Sequence, residues 1–315
     1  MDVIRIENLT KEFTSGWPGR PSVMALAGLS LPVNRGEIFG FLGPNGAGKT
    51  TTLKILMGLM SPSGGRIEVL GSRVGDVQVR RKIGFLPEAP YFYDYLTAEE
   101  FLYFYGNLAG LDRATLGDRV THLLAMVGMS EARHRQLRKF SKGMLQRVGL
   151  AQALIHDPEL VVLDEPMSGL DPIGRKQIRD IILSLREQGK TVFFSSHIIP
   201  DVEMICDRVG VVMKGKLVAS GRVDELVGHG QTSSVEVVCE GIAPDAHPAM
   251  MRLAERVIHR GRQALFVLPG LEHLEELLSG VRAQGGKLIS VTPQKGSLEE
   301  LFVEPAGAAG SEKVR

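Results

Sequence analysis

Gly43-Pro44-Asn45-Gly46-Ala47-Gly48-Lys49-Thr50 combines glycines, a lysine and a hydroxyl at a spacing that lets a curled backbone surround an anion. Glycine tolerates left-handed dihedrals, so successive N–H groups can point into one concavity. The apolar run Ile38-Phe39-Gly40-Phe41-Leu42 precedes the loop. Residues 50–59 follow it with Leu53, Leu56 and Met57 at helical spacing. A strand, a glycine loop and a helix N-terminus in that order make a phosphate site, where the helix dipole adds to the N–H groups. The loop backbone and Thr51 are then expected against a nucleoside triphosphate, with Lys49 on its β and γ phosphates. The Thr50 hydroxyl is expected on Mg²⁺.

A metal-bound triphosphate needs carboxylates nearby. Leu160-Val161-Val162-Leu163-Asp164-Glu165 supplies two where an apolar strand ends, at the carboxyl edge of the sheet that carries the loop. Asp164 is the candidate to hold Mg²⁺ through water, since that ion keeps several of its waters. Glu165 is the candidate to polarise an attacking water.

Strands alternating with helices must position these groups. Leu160 to Leu163 and Thr191 to Ser195 read as buried strands, with an amphipathic helix over 173–187 between them; this predicts a parallel sheet flanked by helices. Residues 90–155 read as helices only, which places a helical subdomain inside the sheet domain. Thr97 and Glu100 form a capping-box pair ahead of the first of these helices. The polar stretch 228–234 is the expected linker. Beyond it, strand, helix, hairpin turning near Gly261, helix and strand give βαββαβ, the order of a small ferredoxin-like unit. The expected architecture is therefore an α/β domain over 1–230 and an α+β domain over 235–303. A disordered tail is expected over 306–315.

Bulk composition narrows the function classes. The 37 Lys and Arg nearly balance 36 Asp and Glu, so no basic footprint predicts nucleic acid as partner. Cys206 and Cys239 form no CxxC pattern, which fits a reduced compartment better than a disulfide scaffold. The N-terminus lacks a secretory signal, and no run reaches the roughly 18–20 apolar residues that span a bilayer. Membrane contact, if the chain has any, is expected through a partner.

Further motifs fall in order around these two sites. Phe140-Ser141-Lys142-Gly143-Met144-Leu145-Gln146-Arg147 lies just before the helix leading to Asp164. Ser168-Gly169-Leu170-Asp171 follows the acids, Ser195-Ser196-His197 ends the next strand, and Phe13 lies near the N-terminus. With these, residues 1–230 resemble the ATP-binding subunits of ABC transporters, P-loop NTPases with an inserted helical subdomain. The resemblance implies ATP as ligand and two copies closing head to tail around two ATP molecules. Ser141 and Gly143 of one chain would reach the γ-phosphate held by Lys49 of the other. It further implies that His197 senses that phosphate, Asp171 couples the two sites, and Phe13 stacks on adenine.

Two positions depart from the family pattern. Its Q-loop glutamine is Glu88 here, which keeps an oxygen for Mg²⁺ but adds negative charge. Lys142 interrupts the signature glycines, either approaching the γ-phosphate of the second copy or pointing to solvent. Both variants, and the ending over 293–302, resemble the export-type branch, including drug, lipid and polysaccharide exporters. That branch implies a homodimer of cytoplasmic ATPase subunits, peripheral on the inner face of the cell membrane through separately encoded permease subunits. The aromatics between Tyr91 and Tyr95 would seat a permease helix. The competing reading is a soluble ABC-type ATPase acting on ribosomes or DNA. Such proteins carry two cassettes, or a coiled coil splitting the site, and the sequence shows neither. The C-terminal unit is expected either to bind a regulatory ligand or to help dimerise.

Overall fold

The computed structural model describes residues 2–14, 22–227, 232–242, 248–295 and 297–302. The chain divides into two compact units, Met1–Val223 and Asp224–Arg315. The division falls a few residues ahead of the boundary expected at 230. Residues 228–231 of the expected linker and the expected tail over 306–315 lie outside the described residues, whereas 232–234 open a strand.

The first unit begins β1 (Asp2–Phe13), β2 (Val23–Asn34), β3 (Ile38–Leu42), α1 (Lys49–Leu56), β4 (Gly64–Val69) and β5 (Ser72–Arg73). It continues through α2 (Val77–Arg80), β6 (Ile83–Leu86), α3 (Ala98–Leu108), α4 (Arg113–Met126) and α5 (Lys142–Leu154). It closes with β7 (Leu160–Leu163), α6 (Pro172–Glu187), β8 (Thr191–Ser196), α7 (Ile199–Ile205), β9 (Arg208–Met213) and β10 (Lys216–Arg222). The short α8 (Val223–Leu226) lies at the division.

The central sheet has the order β10-β9-β3-β8-β7-β6, with β10 antiparallel at one edge and the other pairings parallel. Every residue of β3, β7 and β8 is buried, the signature of strands covered on both faces. Phe39 stacks on the Phe193 ring at 5.7 Å and Phe41 tilts against it at 5.6 Å, an aromatic core on the strand that leads into the loop after β3.

A second, antiparallel sheet of order β2-β1-β4-β5 packs its apolar side into the same core. This sheet is missing from the sequence reading. The register of β1 against β2 shifts at several points, and each shift breaks the strict alternation by which a half-buried strand is read.

Between β6 and β7 only helices occur, and their caps define them. Thr97 accepts from the Glu100 N–H, while the Glu100 carboxylate accepts from the Thr97 N–H at 2.8 Å. That N–H, joined by the Thr97 hydroxyl donating to the same carboxylate at 2.9 Å, lowers the Glu100 carboxyl pKa. Helix α5 starts at Lys142, capped by Ser141. It crosses β6 so closely that a Cβ on Gly84 would fall well inside van der Waals contact with the Ala153 carbonyl oxygen. A Cβ on Gly149 would lie 2.8 Å from Leu86 Cδ1. Small residues on both sides therefore fix where the N-terminus of α5 sits.

The second unit comprises β11 (Thr232–Glu240), α9 (Pro248–Leu253), β12 (Arg256–Arg260), β13 (Gln263–Leu268), α10 (Leu274–Ala283) and β14 (Lys287–Lys295). Its strands form one antiparallel sheet, β12-β13-β11-β14, the split βαβ arrangement. Gly261, at φ 60, turns the β12–β13 hairpin. The core combines Val235, Val237, Phe266 and Leu268 from the sheet with Leu277 and Val281 from α10.

Gly84→Ala should destabilise the first unit by about 1–3 kcal/mol, because backbone must move to admit the methyl group. Urea unfolding measures this. An unchanged midpoint would show that α5 does not rest on β6 as described.

Candidate nucleotide and metal site

The loop after β3 is curled by residues that cannot carry a side chain. Gly46 and Gly48 have φ of 80 and 104. A Cβ on Gly48 would lie 2.7 Å from both the Ala25 carbonyl oxygen and Leu26 Cδ2. Gly43 is pressed equally hard against the Val212 carbonyl oxygen. The loop is thus wedged between β2 and β9, and α1 begins at Lys49 with Gly48 as its N-cap.

Lys49 is 6% exposed, and its ammonium donates to the Gly43 carbonyl at 2.6 Å and the Pro44 carbonyl at 3.3 Å. It also meets Glu165 Oε1 at 3.1 Å, across from a carboxyl group that is itself 7% exposed. The other Glu165 oxygen lies 2.8 Å from His197 Nδ1. Glu165 has a left-handed backbone, φ 49, which is uncommon for a residue with a Cβ. Ser195 holds it there: the Glu165 N–H donates to Ser195 Oγ at 2.9 Å.

The same hydroxyl donates to Asp164 Oδ1 at 2.6 Å. Thr50 donates to that oxygen at 3.3 Å, so the predicted hydroxyl and carboxylate ligands converge. Burial raises the Asp164 carboxyl pKa above the ordinary aspartate value, Ser195 and Thr50 oppose the shift, and the charges of Glu88 and Glu165 add to it. A divalent cation would offset that buried charge, and oxygen donors of this kind suit Mg²⁺. Glu88, Glu165, Ala25, Thr50 and Thr51 line a cavity of about 290 Å³ together with Pro44, Asn45, Gly46, Gly48 and Lys49. Two contributors escaped the sequence reading. Ser195 has no role of its own in the Ser195-Ser196-His197 motif, although a hydroxyl near the end of a buried strand calls for a polar partner. Ala25 carried no signal, because it acts through its backbone.

The other predicted residues lie elsewhere on the first unit. Ser141 caps α5 by accepting from the Met144 N–H at 3.3 Å, which leaves Gly143 in the first turn. Asp171 caps α6 by accepting from the Gly174 N–H at 2.8 Å, with Pro172 next. Neither lines the phosphate cavity. Lys142 lies over Gly169, so tightly that a Cβ there would collide with its ammonium, and Gly169 has φ 67. Its ammonium is therefore placed against the loop preceding Asp171. Phe13 ends β1, 41% exposed, with Lys11 Nζ 5.3 Å above its ring; it is not among the residues lining the phosphate cavity.

Comparison with known proteins bears on this arrangement. Residues 26–168 match the family described as ABC transporter. An uncharacterised ABC transporter ATP-binding protein of Nostoc sp. is 46% identical over 96% of this chain and 89% of its own. The linearmycin resistance ATP-binding protein LnrL of Bacillus subtilis is 32% identical over 97% and 98%. The bacitracin transport ATP-binding protein BcrA of Bacillus licheniformis is 41% identical over 71% of each chain. Among solved structures, an ATP-binding subunit of an ABC transporter superposes with TM-score 0.62 at 31% identity, covering 71% of this chain and 91% of that one. A dimeric, post-hydrolysis ATP-binding cassette bound to ADP and phosphate gives TM-score 0.64 at 25% identity, covering 70% and 98%.

The raised Asp164 pKa has a measurable consequence. The folded chain holds this proton to higher pH than the unfolded chain does, so the stabilising contribution is complete below the unfolded value. It is lost as pH rises from there through the raised folded value. Without nucleotide or Mg²⁺, Asp164→Asn should therefore lose less stability than the parent across that acid window. Parallel urea-midpoint curves for the two proteins would contradict the assignment.

Proposed function

The chain belongs to the ABC transporter family as an ATP-binding subunit, and we propose that its site is completed by a second copy and that the transporter it powers is an exporter. The subunit binds and hydrolyses ATP to drive transport. The Lys49–Glu165 ion pair, beside the phosphate loop and backed by His197, carries the proposed division of roles.

Loop N–H groups between Asn45 and Thr51 and the α1 N-terminus bind the phosphates, and Lys49 takes the γ-phosphate. Lys49 cannot serve that phosphate and Glu165 equally, so nucleotide entry draws the ammonium away and frees the carboxylate. Glu165 then takes the proton of the water whose oxygen attacks the γ-phosphorus, while the bond from phosphorus to the ADP oxygen breaks. His197 keeps Glu165 oriented through its Nδ1 contact and reports on the phosphate. Thr50, Asp164 and Glu88 would hold Mg²⁺, which neutralises phosphate charge when bound.

Ser141 and Gly143, at the N-terminus of α5, suit the γ-phosphate of the second copy. The dimeric form of the related ADP-bound cassette supports that pairing. Asp171 lies on the loop that would meet the second copy, and Phe13 offers a π face for adenine. The export reading draws on the names of the linearmycin and bacitracin relatives. No helix among the described residues is long and apolar enough to cross a membrane. Separate permease subunits would therefore supply the path and hold the ATPase on the cytoplasmic face of the cell membrane. The exposed Tyr91 and Tyr95, in an aromatic cluster with Tyr93 and Phe104, suit a permease helix.

Glu165→Gln should bind ATP yet lose about 10²–10⁴-fold in turnover, and should elute as a dimer on gel filtration with ATP. Normal turnover in this variant would refute the general-base role. Glu88→Gln should shift the Mg²⁺ concentration for half-maximal hydrolysis upward. Superimposable Mg²⁺ curves would remove Glu88 from the metal site.

A further inference from the structure

The C-terminal sheet buries one face under α10, through Val235, Val237, Phe266 and Leu268. Its opposite face carries a pattern that this reading of the ATP site does not use. The strand registers set three rows across β12, β13 and β11: Arg256–Val267–Glu236, Ile258–Leu265–Val238 and Arg260–Gln263–Glu240. Arginines thus occupy the β12 column and glutamates the β11 column, with an apolar row through the middle. Ile258 is 41% exposed and both arginines are exposed, while Leu265, Val267 and Val238 are half-buried. In the β14 column the rows continue with Thr292, Ser290 and, opposite Glu240, Lys287.

Among the described residues no ion pair joins the two charged columns. They stand two strand spacings apart, about 10 Å. Glu240 has a 3.8 Å approach from Arg262 in the hairpin turn and Lys287 opposite it on β14. A second copy resolves the pattern. A two-fold axis parallel to the strands and centred over β13 sets Arg256 against the partner's Glu236 and Arg260 against the partner's Glu240. The same operation sets Ile258 against the partner's Val238 and Leu265 against the partner's Leu265. The polar β14 column then falls outside the overlap. A face that matches itself in both charge and apolarity is the mark of an isologous contact.

We propose that this face of the C-terminal sheet is a homodimer contact that forms without nucleotide. It is separate from ATP-driven closure, so its failure leaves the ATP-site reading untouched, and the reverse also holds. Three short strands offer a small face beside a standard interface. The contact is therefore weak by itself and acts by raising the effective concentration of the second copy.

Full-length Leu265→Cys, treated with a bismaleimide in the absence of nucleotide and Mg²⁺, tests this. Facing sheets lie about 10 Å apart, within reach of the reagent. A covalent dimer is expected above the background of the parent chain, whose Cys239 is buried and Cys206 half-buried. Adding Arg256→Glu and Arg260→Glu should cut the yield roughly tenfold by setting like charges opposite one another. Adding Glu236→Arg and Glu240→Arg to that variant should restore the yield, which a merely misfolded domain could not do. A yield no greater than that of Leu271→Cys, off this face, would overturn the proposal. So would a yield indifferent to charge reversal, or one that the swap fails to restore.

Discussion

The first unit is organised around the buried Lys49 ammonium. A charge removed from water must be surrounded by acceptors, and here the Gly43 carbonyl, the Pro44 carbonyl and Glu165 provide them. That requirement ties the loop after β3 to the acids after β7, two strands whose only common neighbour is β8. β8 contributes the third element: Ser195 grips both Asp164 and the Glu165 N–H, and His197 takes the free Glu165 oxygen. Three adjacent parallel strands thus deliver their C-terminal ends to one charge cluster. A phosphate brought into that cluster enters a site whose cation is already placed, so little rearrangement is needed beyond releasing Glu165.

The cluster holds its position because the backbone around it is packed at distances that exclude side chains. Gly48 under Ala25 and Gly43 against Val212 fix the loop between two sheets. Gly84 and Gly149 bring α5 down onto β6. Different glycines therefore serve different ends. Gly46 and Gly48 supply dihedrals that other residues resist, whereas Gly84 supplies close approach at an ordinary strand conformation.

How much of this was legible in sequence depended on whether a feature was local. The phosphate loop, the acids after β7 and the Thr97–Glu100 cap are set by residues adjacent or three apart in the chain, and their types alone define the geometry. The β1–β2–β4 sheet was not legible, because its bulges scramble the period on which strand recognition rests. Ser195 was only half legible. Its type and place at a strand end were visible, but its two partners lie about thirty residues away and are fixed by the order of strands in the sheet. Lys142 was ambiguous for the same reason: nothing near it in sequence predicts that its ammonium lies over Gly169.

That last contact changes how the signature turn can act. Lys142 sits between Ser141 and Gly143, and its ammonium lies over the glycine of the loop leading to Asp171. Arg147, one turn further along α5, donates to the Gly143 carbonyl at 3.4 Å and to the Val127 carbonyl at 3.2 Å. Burial lowers its pKa while the Asp171 carboxylate opposes that shift, so its charge is held partly by that loop. The N-terminal turn of α5 is therefore bound on one side to the end of α4 and on the other to the loop that caps α6. In the paired arrangement proposed above, the signature turn faces the second copy's phosphate, while the Asp171 loop follows directly from the chain's own Glu165. The half-site offered to the second copy and the loop leading from Glu165 are thus neighbours within one chain. A glycine at position 142, as in the family signature, would have no side chain to lie over that loop. The departure from the family signature thus adds a contact between the two motifs.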